Sequence, residues 1–157
     1  VTTIPAAGIA LHFLFQGRSA RAASTEDNLR MQFNGDAGAN YWSQSGQVFS
    51  DVAATGLAVT EEPAATALFN VANMPAASSP ASACGQAVID IVGYADTTFF
   101  KAFTSQAWGH LTAAGSGQRA WLAAGEWQSA VAITRVTIFA ANANLLAGSR
   151  LVGYVLL

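Results

Sequence analysis

Charge is what this sequence has least of. Only 10% of its 157 residues are Asp, Glu, Lys or Arg, against about 25% in an ordinary soluble domain. Nine acids and seven bases leave a net charge of −2, with a pI near 5.5. Only Arg18 and Arg21 lie close together among the bases. No basic stripe exists for a phosphate backbone to follow, so nucleic-acid binding is excluded as the main role. Cysteine is almost absent. Cys84 stands alone, which rules out an internal disulfide or a cysteine-based metal site and predicts a small buried hydrophobe. Long apolar runs are missing too. The longest charge-free stretch, between Glu62 and Asp90, holds Pro63, Pro75, Pro80, Asn70 and Asn73. It does not supply the roughly 20 apolar residues of a spanning helix. Repeated alternating strands with aromatic girdles are not seen either, and no basic segment precedes an apolar run as in a secretory signal. No membrane partner is expected.

Apolar residues are plentiful: 52% of the chain is hydrophobic and its mean hydropathy is +0.34. With so few charges, this predicts a surface largely buried in an assembly. The length suits one domain, 1–157, with a real core. Period-2 alternation marks strands at Ile9–Phe15, Asn28–Phe33, Cys84–Tyr94, Thr98–Ser105 and Gln118–Ala124, with weaker signals in Gln47–Thr60 and Thr66–Val71. Trp108–Leu111 continues the Thr98–Ser105 strand. Asn34-Gly35-Asp36 predicts a tight hairpin with Ala39–Val48 as its return strand. Asn73–Ser82 reads as a loop.

The stretch from Ile133 to Leu157 reads as a closing pair. Val136, Ile138 and Ala140 share one face of the first run, and Arg150–Leu157 is apolar on both faces. A strand of that kind is expected to be covered twice, by its own domain or by another subunit. Helical periodicity is absent, and the predicted fold is all-β, a jelly-roll-like antiparallel β-sandwich of roughly eight to ten strands.

A reaction centre is hard to assemble. His12 lies mid-strand among apolar residues and reads as a core or interface histidine that donates a hydrogen bond, in preference to a general base. His110 reads as a surface or turn residue. Glu61 and Glu62 are adjacent and look like a solvated loop. Asp90 and Asp96 flank one segment, but nothing in the sequence fixes them in one cleft. Asn34–Asn40 offers oxygen ligands without the spacing of a calcium loop, so a plain hairpin turn is preferred. Gly115-Ser116-Gly117 lacks the lysine and helix of a phosphate loop. No serine-hydrolase motif carries weight. No catalytic, cofactor-binding or metal residue is assigned and no cofactor is expected. Trp42, Trp108, Trp121 and Trp127 suit either a sugar-stacking platform or packing, with at least two expected in the core or a subunit contact.

Three segments carry a resemblance. Leu29–Tyr41, LRMQFNGDAGANY, resembles the "RFNGDTGANY" block of a family of accessory virion proteins of tailed bacteriophages. Ile89–Tyr94 with Lys101 resembles its "I.I.NY.....K" segment, and Arg18-Ser19 an "RS" after its first long strand. Trp127, Ala132–Phe139 and Gly148-Ser149-Arg150 resemble its "W.....AITSITLF......GSRFSLYG" ending. The final Gly153-Tyr154-Val155-Leu156-Leu157 departs from that ending and is instead similar to the last strand of TNF/C1q-like trimeric jelly rolls. The resemblance implies a non-enzymatic phage structural protein located on the virion, either capsid decoration (cement) or a head fibre, partnered by the major capsid protein or other virion proteins. The alternative it leaves open is a tail-fibre receptor-binding domain that takes a host surface glycan. The ending implies a homotrimer built in part by the last strand.

Overall fold

The computed structural model describes residues 4–50, 55–61, 65–111 and 117–157. Among them lie ten strands and no helix: β1 (Ala10–Gly17), β2 (Glu26–Phe33), β3 (Tyr41–Ser50), β4 (Thr55–Glu61), β5 (Phe69–Pro75), β6 (Gly85–Val92), β7 (Lys101–His110), β8 (Gln118–Trp127), β9 (Val136–Ala140) and β10 (Arg150–Leu156). All pairings are antiparallel. Seven strands form one sheet in the order β10-β1-β6-β7-β8-β3-β4, and three form another in the order β5-β2-β9. The all-β antiparallel sandwich expected from periodicity is the observed fold, but its layers are unequal, seven strands against three.

β7 shows how sequence sets the layering. Lys101, Phe103, Ser105, Ala107 and Gly109 are buried, while Ala102, Thr104, Gln106 and Trp108 are exposed. The strict alternation follows from the pleat, with one face on the core and one open. On the inner side β5 packs across β6, β7 and β8. Its approach is close because Gly85 and Gly109 are cross-strand partners. A Cβ on Gly85 would come within 2.9 Å of Pro75, and one on Gly109 within 3.1 Å. The Ser105 hydroxyl donates to the Val71 carbonyl at 2.6 Å, which ties the two sheets through a buried polar pair. Between the sheets sits an aromatic cluster. Phe69 lies 4.2 Å from Phe103, 4.9 Å from Tyr41 and 5.6 Å from Phe33, ring centre to ring centre.

Two expectations need correction. The Asn-Gly turn exists: Asn34 and Gly35 have φ of 52° and 72°, and the Asp36 amide donates to the Phe33 carbonyl at 2.8 Å. It is not a hairpin, because β2 lies in the small sheet and β3 in the large one. The turn signal reports local backbone freedom and says nothing of which strand comes next. Nor do the last two strands pair. β9 joins β2, and β10 joins β1. β10, whose cover the sequence leaves open between this domain and another subunit, is covered by the described residues only in part, with Val155 packed against the core. It is an edge strand, with Leu151, Val152, Tyr154 and Leu156 each about half exposed at 46–51%.

Candidate functional site

The open face of the seven-stranded sheet is the largest feature without an internal role. Its rows follow from the register. One runs Val152, Leu14, Val88, Gln106, Leu122, Gly46, Val59. The next toward the β7–β8 turn runs Arg150, Gln16, Gln86, Trp108, Ala120, Val48, Leu57. Leu122 at 61% and Val59 at 67% exposure flank Gly46, which has no side chain to fill the row. A shallow trough results, lined by Gln44, Gly46, Val59, Gln106, Leu122 and Ala124. Ile9, Val92, Phe99 and Phe100 add exposed apolar surface at the end where β6 turns into β7. Neighbouring apolar side chains exposed on this scale mark an interaction surface more often than a free one.

His12 faces this surface and not the core. Its Nδ1 lies 2.6 Å from Asp90 Oδ1, and both side chains remain partly exposed. The two sit on adjacent strands directly opposite one another, with the Tyr154 ring 6.2 Å away on the other side. Along the same strands the outward neighbours are Ala10, Leu14, Val88 and Val92. The pair therefore orients an imidazole on a flat sheet, with Thr104 directly opposite Asp90 and, among the described residues, no serine or cysteine opposite either member, whereas acyl-transfer chemistry needs a nucleophile within hydrogen-bond reach of the base. Asp96 is not brought to Asp90. It accepts from the Thr98 and Phe99 amides in the following turn, and those bonds hold its carboxyl below the ordinary range.

The segment Asn34–Asn40 is a structural knot. Asp36 Oδ2 accepts from Asn40 Nδ2 at 2.9 Å and from Trp127 Nε1 at 2.7 Å, and Oδ1 accepts from the Gly38 amide at 2.8 Å. The Asn40 side-chain bond leads the causes that lower the Asp36 pKa. Asn34 Oδ1 accepts from the Thr134 and Arg135 amides. The Phe33 amide donates to the Tyr41 hydroxyl, which lies 3.1 Å from the Asp36 carbonyl. Burial pushes the Tyr41 phenol up to about 12. These oxygens already have donors, so the turn of the preferred reading fits the geometry, though not its hairpin. Among the described residues no group of three metal-ligating side chains forms.

The other motif residues are equally structural. The Arg18 guanidinium collects the carbonyls of Ala76, Ser79, Pro80, Ala81 and Ala83, folding a segment some sixty residues away around one cation. Ser19 Oγ donates to the buried Asp27 carboxylate at 2.6 Å, and Asn142 Nδ2 reaches its other oxygen at 2.6 Å. Burial raises the Asp27 pKa, but these bonds and the Asn28 amide outweigh it and leave the carboxyl below its usual value. Lys101, inward at the start of β7, donates to the Phe99 carbonyl at 2.5 Å, and burial lowers its pKa against the pull of Asp96.

The remaining candidates scatter. Trp121 and Trp127 are core, as expected for two of the four, while Trp42 and Trp108 are partly exposed. Trp108 stands level with Val48 across β8, and Val48 is six residues along β3 from Trp42, about 20 Å. They do not form one stacking platform. Cys84 is a free thiol and half-buried, not fully buried, with Gln16 Nε2 at 3.6 Å. His110 closes β7 as a half-buried strand residue. Glu61 belongs to β4 opposite Gln44, not to a loop. Glu62, Gly115 and Ser116 lie outside the described residues. Comparison with family models, curated proteins and solved structures finds no match.

Proposed function

We propose that this protein is a non-enzymatic structural component of a tailed-bacteriophage particle, added to the capsid surface as a decoration protein or head fibre. The observation that carries the reading is the open, charge-poor face of the seven-stranded sheet. Such a surface is stabilised by being covered, at about 25 cal/mol per Å² of apolar area before ordering costs. The phage-like segments supply the kind of assembly: Arg18, Asn34, Asp36, Tyr41, Lys101 and Trp127 all hold the fold, as a shared scaffold requires. The proposed partners are further copies of this chain, three in the arrangement its ending resembles, and the major capsid protein.

The test is the position and copy number of the protein on purified particles. Copies in numbers comparable to the major capsid protein, with particles that break at lower temperature when it is missing, are the expected result. A handful of copies at a tail tip would sink the decoration role and favour adhesion to a host glycan instead. The exposed Trp108 ring supports that second reading; it requires glycan binding that disappears in Trp108→Ala.

A further inference from the structure

We propose that β10 is the contact through which two copies of this chain pair, edge to edge and antiparallel, about a two-fold axis at Gly153. The inference keeps the self-association in the reading above but replaces its threefold arrangement with a two-fold one, and it stands on the edge itself. β10 hydrogen-bonds β1 on one side only, in an unbroken register from Arg150 to Leu156. The other side presents backbone donors and acceptors that only another strand satisfies in series. Proteins normally guard such an edge with lysine, proline, a bulge or a short strand. This one has seven residues, no proline, no bulge and a single charge, Arg150.

The side chains say which strand fits. Leu151 faces the inner side, Val152, Tyr154 and Leu156 the outer, and all four are about half exposed. A strand laid against them must be apolar on both faces. β4, the opposite edge of the same sheet, offers Leu57 and Val59 on the outer face but only Gly56 and Ala58 on the inner. β10 of a second copy meets the requirement by identity. A two-fold axis normal to the sheet keeps the outer faces on one side, so the two seven-stranded sheets become one. Centred on Gly153, it sets Val152 opposite Tyr154 of the second copy and Arg150 opposite its Leu156. The two guanidinium groups then sit about 20 Å apart. In-register parallel pairing would stack Arg150 against Arg150, which is unfavourable.

Cysteine pairing tests the register, because directly opposed strand residues fall within disulfide reach. In a Cys84→Ala background, Val152→Cys and Tyr154→Cys chains should cross-link on mixing, while each alone should not. The parent chain should sediment as a dimer, and Val152→Lys as a monomer with an unchanged unfolding midpoint. A native monomer or trimer, homotypic cross-links, or a Val152→Lys dimer would each overturn the contact. A trimer would leave the particle role standing, and absence from particles would remove that role without touching the dimer.

Discussion

The two faces of the seven-stranded sheet come from the same strands, at alternate residues, and have opposite fates. On the inner face Phe103, Ile89 and Ile91 are at or near zero exposure. On the outer face Leu122, Val48 and Val92 stand more than half exposed. Hydrophobicity alone does not separate them; what differs is whether a second layer exists to cover them. Three strands and a few loops cover the inner face, and among the described residues nothing covers the outer. The apolar excess of the composition is therefore divided, one part holding the fold and the other exposed on the outer face.

The comparison breaks most visibly at Phe103. Its ring meets Phe69 inside the aromatic cluster, so Phe103→Ala should lose about 3–5 kcal/mol of unfolding free energy in a urea titration. A loss below 1 kcal/mol would mean that the inner face is not the load it is taken to be. A smaller effect is expected at Asp27, which staples the strap before β2 to Asn142. Asp27→Asn should cost about 1–3 kcal/mol, since buried donors lose their acceptor. The sign with pH is fixed. A carboxyl held below its ordinary value binds protons less readily folded than unfolded. Its contribution is complete above the usual carboxylate range near pH 4 and is lost as pH falls through the lowered folded value. The Asn variant should flatten that acid limb, and an unchanged limb would remove Asp27 from the account. The smallest change belongs to the outer face. Leu122→Thr should change the unfolding free energy by less than about 0.5 kcal/mol and, under the proposed role, weaken attachment to particles. A core-sized loss of stability would show that this face is covered after all.

Strand positions were legible because alternation is a local property. β1, β2, β6 and β7 fall where the periodicity puts them, within two to three residues at each end. Sheet membership was not, because Asn34-Gly35 makes the same turn whether the next strand pairs or crosses to the other layer. The apolar pattern of Arg150–Leu157 leads to the expectation of cover on both faces, by this domain or by another subunit, whereas the strand stands half exposed among the described residues. Nothing local could show that β10 ends at a sheet edge, since that depends on strand order. His12 was legible in part for a related reason: the hydrogen bond expected of a core or interface histidine is there, but flanking leucine and phenylalanine do not tell which face it takes until the parity of its strand is known. Its partner Asp90 lies 78 residues away, beyond any spacing motif.

Strand order has a further consequence, for the time course of folding. β6, β7 and β8 are successive neighbours in both chain and sheet, so the middle of the large sheet assembles through short closures. β1 instead lies between β6 and β10, strands drawn from the middle and the end of the chain, and must wait for both. A chain dominated by such distant pairings folds on the slower millisecond-to-second scale. Throughout that interval Leu11, Phe13 and Phe15 of β1 have no β10 beside them. The strand that finishes the sheet is also the one that leaves it an open edge, and until it docks that edge is β1.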